Sequence, residues 1–239
     1  YHDLLTLEPA NKTVAHLWVY AELREILLEA GALISAEEAQ RRGLILEKPA
    51  FAGKAQATDT LFTGLQLILP GEIAPAHRHS PNAIRLGLTG HTNFTAVEGE
   101  NITFGPGDLV LTPHDTWHNH GNEGEDGAIN LSVLDMPLVN TLNATYFESE
   151  YFEEDADGGG VRKDVQSERF PPDYSQRIYG KGGLMPRSVS HFRGTGNASP
   201  MYVYRWEPTR EALEDLRWQK RIVVVFADSP EDPQFRRQM

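Results

Sequence analysis

The sequence predicts a mainly β domain, a sandwich or barrel of short strands, with helices ahead of it. Three observations carry that reading. From Thr60 onward, short apolar runs recur at about 8–12-residue spacing. Turn signals separate them, among them Pro70-Gly71, Thr89-Gly90, Glu98-Gly99-Glu100-Asn101, Gly105-Pro106-Gly107-Asp108 and Glu123-Gly124-Glu125-Asp126-Gly127. Before Thr60 the apolar residues follow a three- and four-residue step instead, which is helical.

Taken in order, residues 13–31 are predicted as a helix, because Leu17, Tyr20, Leu23, Leu27 and Ala30 fall on one face and Gly31 offers a stop. Ser35 is a candidate cap for a short acidic-first helix carrying Arg41 and Arg42. Leu44-Ile45-Leu46 reads as a strand. The β region is assigned strands at Leu61–Leu69, Ala83–Leu88, Asn93–Val97, Leu109–Thr112 and Ala128–Leu134. Residues 153–176, with Glu153-Glu154-Asp155, Gly158-Gly159-Gly160 and Pro171-Pro172, read as a mobile loop with a solvated acidic run. Residues 209–219 are predicted as a charged helix capped by Thr209. The β-branched run Ile222–Ala227 reads as a strand buried on both faces. The expected organisation is a helical brace over 1–58, a barrel core over 59–140, a loop-rich extension over 141–216 and a tail of separate character over 217–239.

Composition narrows function. Lys and Arg number 22 against 34 Asp and Glu, a net charge of −12, which disfavours nucleic acid and anionic membrane surfaces as partners. No apolar run is long enough to cross a bilayer as a helix. The absence of Cys removes disulfides, thiolate metal sites and thiol nucleophiles, and fits a reducing, cytoplasmic setting. The chain opens on Tyr1 and ends on Arg236-Arg237-Gln238-Met239, which reads as a trimmed piece of a longer protein.

The chemistry concentrates in two histidine blocks. The first is Gly71-Glu72-Ile73-Ala74-Pro75-Ala76-His77-Arg78-His79. In a strand, residues two apart share a face, so His77 and His79 point together into a barrel. The second runs from Gly107 through Pro113 to His118-Asn119-His120-Gly121-Asn122. His118 and His120 again share a face, and a neighbouring antiparallel strand would bring His118 to the first pair. Three imidazoles without a thiolate suit iron, zinc, nickel or copper, and three protein ligands leave coordination positions open for chemistry. The remaining histidines, His2, His16, His91, His114 and His191, are read as ordinary.

These two blocks resemble the paired motifs of the cupin superfamily. Gly71, His77, His79 and Gly90 fit the first motif, whose Glu would fall at Ala83 or Ile84 and is absent. Gly107, Pro113, His118 and Asn122 fit the second, with Asp115 in place of a Gly. The stretch Leu67–His79, then Ile84-Arg85, then Thr116–Gly124 closely resembles the gentisate 1,2-dioxygenase family, which includes salicylate and 1-hydroxy-2-naphthoate dioxygenases. The likeness extends upstream through Leu17-Trp18 and Arg41-Arg42 and downstream to Pro200–Leu216.

What the resemblance implies is a cupin barrel holding Fe(II) on His77, His79 and His118 without the missing Glu. It implies that Arg85 and His120 hold and polarise the substrate, that Gln66 and Gly64 line the pocket, and that Arg41 or Arg42, with Arg41 preferred, meets the substrate carboxylate. The substrate would be a small aromatic acid cleaved with O₂ between its carboxyl- and hydroxyl-bearing carbons; for gentisate the product would be maleylpyruvate. Ser132 stands where the family often has Asp, a departure that bears on strict gentisate preference. The family's chains carry a second barrel, which this sequence lacks beyond residue 216, and its members are homo-oligomers, usually tetramers. Two other readings remain beside it: a cupin isomerase using zinc or manganese, and a non-catalytic module that binds a small ligand. For Arg85 the alternative is a barrel-mouth residue paired with Glu72 or Asp108.

Overall fold

A computed structural model describes residues 14–35, 38–39, 41–179 and 202–218. The expected strand at Ile222–Ala227, most of the tail over 217–239, and His2 and His191 lie outside the described residues.

Helix α1 (Tyr20–Leu33) leads into β1 (Gly43–Ile45), a single 3-10 turn at Pro49–Phe51, and β2 (Phe62–Ile68). Then follow β3 (Ile73–His79), β4 (Ala83–Thr89), β5 (Asn93–Val97), β6 (Glu100–Phe104), β7 (Leu109–Thr112), β8 (His118–Asn122) and β9 (Ala128–Leu134). The remainder is α2 (Met136–Thr141), β10 (Phe147–Glu148), β11 (Phe152–Glu154), β12 (Gly160–Arg162), α3 (Tyr174–Tyr179), β13 (Val203–Tyr204) and α4 (Trp206–Trp218). Two antiparallel sheets result, one ordered β1-β2-β9-β4-β7-β13 and the other β10-β3-β8-β5-β6.

The sheets close on each other through Val97, Ile102 and Phe104 from one and Val110 and Val203 from the other, all buried. A second apolar cluster lies where α1 covers β2: Leu27 packs with Leu46, Leu65, Leu67 and Ile129. Leu65 and Leu67 face α1, so Gly64 and Gln66, which alternate with them, face the other way. That alternation frees one face of β2 for the interior of the barrel.

Several expectations are corrected. α1 starts at Tyr20, not near residue 13: Val19 is extended at its N-cap with no capping side chain, and Leu17 is 80% exposed. It also runs through Gly31. An added Cβ there would come within 2.6 Å of Leu67 Cδ2, so this glycine permits close helix–sheet approach and does not end the helix. Ser35 Oγ accepts the Glu38 N–H at 3.1 Å, but only a turn follows at 38–39 and Arg41 and Arg42 are not helical. β6 was hidden inside a turn signal. Glu98 and Gly99, at φ 49° and 86°, form a two-residue hairpin turn, and the strand begins directly at Glu100.

Residues 153–176 are not a loose loop. β11 and β12 pair as a hairpin, and the buried Gln166 bonds from its Nε2 to the carbonyls of Ala96 at 3.2 Å and Trp117 at 3.1 Å. Glu153 leaves the solvated run to bond Lys163 and Ser167. Thr209 is not the cap of α4. The helix begins at Trp206, whose N–H is taken by Asp108 Oδ1 at 2.8 Å. A carboxylate distant in sequence thus does the capping, which the local residues did not disclose.

Candidate metal centre

The site is built on β3 and β8. Their register pairs Ala74 with His120 and His77 with His118, so one extra residue is inserted on β3 between the two pairs. This bulge contains Pro75, which has no N–H to give a ladder. It also reverses the side-chain parity of β3, turning His77 and His79 onto the face that carries His118 and His120. All four imidazoles are buried.

The ligand-capable nitrogens of His77, His79 and His118 lie within 4.8 Å of one another. Ring centroids are 4.2 Å apart for His77–His118 and 4.8 Å for His79–His118. Each ring uses Nδ1 to reach a backbone carbonyl: Pro75 O at 2.7 Å, Pro81 O at 2.7 Å and Thr116 O at 2.8 Å respectively. A carbonyl only accepts, so each Nδ1 carries the proton and each Nε2 presents a bare lone pair. Nε2 of His77 and of His118 is buried with no hydrogen-bond partner. Burial, first of all, holds these imidazoles below their ordinary pKa, with nearby positive charges, Arg41 at His77 and Arg85 at His79, acting the same way. Neutral, pre-oriented, otherwise unsatisfied nitrogens are what a divalent transition metal requires. The three histidines have the geometry to hold a metal ion.

Beside them is a cavity of about 330 Å³ lined by Arg41, Gly64, Gln66, His79, Arg85 and Ser132, with Leu44, Phe62, Leu134 and Met136 supplying apolar walls. Gly64, Ser132 and Arg85 lie in one cross-strand row over β2, β9 and β4. Arg85 is fully buried. Its Nη1 bonds Thr112 Oγ1 at 3.0 Å, its Nε is unpartnered, and among the described residues no carboxylate pairs with it. Burial, and then the charge of Arg41, push its guanidinium down to about 9, which leaves it cationic at neutral pH. Its alternative partners are engaged elsewhere: Glu72 with Arg42 and Asp108 with Arg205.

Of the two candidate arginines, Arg41 reaches the cavity. Arg42 is buried away from it, bonded to Glu72 at 2.8 Å and to the Ile34 carbonyl. Arg41 keeps an exposed flank, but packing around its head group lowers its pKa. Its guanidinium lies 5.3 Å from the Phe147 ring centroid, and Phe147 stacks on His77 at 5.6 Å. His120 stands behind the triad, 5.3 Å from His118 and 5.7 Å from His77 between centroids, and is not among the cavity-lining residues. Burial, then Arg85, keeps it neutral, well below its ordinary pKa.

Phe147, Thr112, Met136 and Thr95 were not legible as site residues. Phe147 belongs to a two-residue strand, too short to leave a periodic signal. Thr95 lies in an anticipated strand, but its neighbour His120 follows from a register that the sequence does not state.

Residues 64–134 match the family model of the Cupin domain. This stretch has the cupin fold. Among curated proteins it is 39% identical over 216 residues to gentisate 1,2 dioxygenase 1 of Aquipseudomonas alcaligenes, covering 90% of this chain and 58% of that one. It is 38% identical over 149 residues to 5-aminosalicylate 1,2-dioxygenase of Comamonas sp, covering 61% and 40%. Among solved structures, this cupin superposes with a TM-score of 0.74 at 30% identity on salicylate 1,2-dioxygenase of Pseudoaminobacter salicylatoxidans in its gentisate adduct, covering 94% of this chain and 59% of that one. The cupin chain therefore spans a little over half the length of the first curated relatives it matches. Among the described residues no helix is long and apolar enough to cross a membrane.

Proposed function

We propose that this cupin is an Fe(II)-dependent ring-cleaving dioxygenase acting on a small hydroxylated aromatic acid. The observation that carries the reading is Arg85, a buried cation with no counter-ion among the described residues, facing an apolar-walled cavity that also touches the three-histidine site. A buried charge left unpaired is costly, and an incoming carboxylate would relieve it. Relatives named for gentisate, 5-aminosalicylate and salicylate point to the same ligand class.

His77, His79 and His118 would hold the iron through Nε2. The bound iron would supply the one-electron chemistry that lets dioxygen react with a closed-shell ring. Arg85 would take the substrate carboxylate in a charge-assisted hydrogen bond, with Arg41 adding a second positive charge at the cavity edge. Gln66 would contribute a polar contact, and Leu44, Phe62, Leu134 and Met136 would exclude water and face the ring. Cleavage of the bond between the carboxyl- and hydroxyl-bearing carbons puts both oxygen atoms into the product, so no external reductant is consumed.

The test is anaerobic loading with Fe(II), then an oxygen electrode with gentisate, salicylate, 5-aminosalicylate and 1-hydroxy-2-naphthoate. At least one acid should consume dioxygen in equimolar amount with loss of the aromatic absorbance. No uptake from any of them at full iron loading overturns the proposal.

A further inference from the structure

Strand β7 is apolar, Leu-Val-Leu, until its last residue, Thr112, which is fully buried. A valine would fill nearly the same volume and suit a strand as well. A buried hydroxyl is costly unless its hydrogen bonds are made, so the partners of Thr112 Oγ1 are what offset that cost.

The hydroxyl has two partners, and the direction of both bonds is fixed by chemistry. The Ala83 carbonyl, 3.1 Å away, can only accept, so the hydroxyl proton goes to it. The Arg85 guanidinium, with Nη1 at 3.0 Å, can only donate, so it gives a proton to the remaining lone pairs of Oγ1. The ladder explains the reach. Thr112 lies opposite Ala83 and Arg85 opposite Val110, so the long arginine side chain meets the threonine diagonally across β4 and β7. Among the described residues, Thr112 Oγ1 is the single hydrogen-bond acceptor that Arg85 meets. Arg85 lines the cavity, whereas Thr112 is not among the lining residues.

We infer that Thr112 is a positioning residue: its hydroxyl, aligned by the Ala83 carbonyl, holds the Arg85 guanidinium in one orientation, ready for the carboxylate of an aromatic acid in the cavity. Without that anchor no acceptor among the described residues restrains the head group, and each incoming acid would have to order it at a cost in binding free energy. Thr112 acts only through Arg85. The carboxylate rests on the proposed function; the hold of Thr112 on the guanidinium does not.

The experiment uses the full chain, zinc-loaded, as wild type, Thr112→Val, Thr112→Ser, Arg85→Met and the Arg85→Met/Thr112→Val double variant. With arginine labelled with nitrogen-15, Arg85→Met assigns the Arg85 signals by their loss. In the wild type, Arg85 should give separate, slowly exchanging Nη resonances, the mark of restricted rotation. Thr112→Val keeps the side-chain volume and removes the hydroxyl; it should merge those resonances, and Thr112→Ser should restore them. Zinc content should stay at the wild-type level throughout. Calorimetric titration with salicylate, and with catechol, which has no carboxylate, reads the consequence for binding. Thr112→Val should weaken salicylate about tenfold, the size of one hydrogen bond to a charged group, and leave catechol unchanged. The same substitution should cost nothing further in the Arg85→Met background. A wild-type Arg85 with averaged Nη resonances overturns the inference. So does a Thr112→Val protein that binds salicylate like the wild type, an equal loss for catechol, or a wild type that binds no salicylate. Failure of the dioxygenase reading shows separately, as absent oxygen uptake in a wild type that binds salicylate.

Discussion

His77 and His118 stand directly opposite each other on β3 and β8, one bulge beyond the pair Ala74 and His120. The bulge brings imidazoles from two strands into one cluster, and their unpartnered Nε2 atoms make the metal-free protein store an unfavourable desolvation. Metal binding relieves it. Saturating Fe(II) or Zn(II) should therefore raise the wild-type melting temperature, by about 2.7 kcal/mol of stability at a hundredfold excess over Kd. In His77→Ala the rise should vanish and elemental analysis should find near-zero bound metal. A His77→Ala protein that still binds one metal per chain would show that the cluster is not the site.

Much of this was written in the sequence, for a definite reason. His77, His79, His118 and His120 fall in strands with strict two-residue alternation, so their shared faces could be read directly. Gly64 and Gln66 were named through the family resemblance alone; their place on the cavity follows from alternation with Leu65 and Leu67, which pack under α1. What stayed hidden depends on pairing between distant residues. The bulge at Pro75 sets parity; the proline marks a break in the ladder, but which residues it turns to the interior follows only from the pairing with β8. Asp108 caps α4 across ninety-eight residues. Glu98 and Gly99 looked like a loop because a two-residue turn and a polar first strand residue, Glu100, merge into one polar cluster. Gly31 looked like a stop because its packing against Leu67 is a tertiary fact.

Arg85 separates binding from stability. Replacing it with Met keeps a long apolar stem and deletes a buried cation that has no carboxylate partner among the described residues. Removal of an unpaired buried charge leaves stability unchanged or improves it by about 1 kcal/mol. The cost should fall on the acid: kcat/KM for hydroxybenzoates should drop about a hundredfold, equivalent to the loss of one charge-assisted bond. Metal content should be unaltered. Thermal melts and steady-state oxygen uptake on the same preparations check both halves, and an Arg85→Met protein that retains substrate affinity would remove Arg85 from carboxylate binding.

Gly64 tests the shape of the cavity. A Cβ at this position would meet Leu44 O and Phe62 Cζ at 3.4 Å each, which is ordinary contact. Gly64→Ala should thus fold, with stability changed by only about 0.5 kcal/mol. The methyl group narrows a cavity of about 330 Å³. A two-ring acid needs more of that space than a one-ring acid. The ratio of kcat/KM for salicylate over 1-hydroxy-2-naphthoate should rise, by about tenfold for a methyl-sized clash. An unchanged ratio would place the substrate ring away from β2.

Glu153 links pH to the segment that covers the β5–β8 side of the barrel. Its carboxylate accepts from Lys163 Nζ at 2.6 Å, the Ser167 N–H at 2.8 Å, Ser167 Oγ at 2.6 Å and the Tyr151 hydroxyl at 2.7 Å. Burial by itself would raise its pKa, but these donors outweigh it and hold the group at about 2. A carboxylate depressed in the folded state stabilises that state when ionised. The contribution is complete above the unfolded value of about 4.3 and is lost as pH falls through the folded one. Residues 151–167 should therefore loosen between those two pH values. Hydrogen exchange at the Lys163 amide, which bonds the Tyr151 carbonyl at 2.9 Å, reads this directly once intrinsic exchange rates are divided out. In Glu153→Gln the same amide should be less protected at neutral pH and insensitive to acid across that window. An acid dependence identical to the wild type would mean that another carboxylate controls the segment.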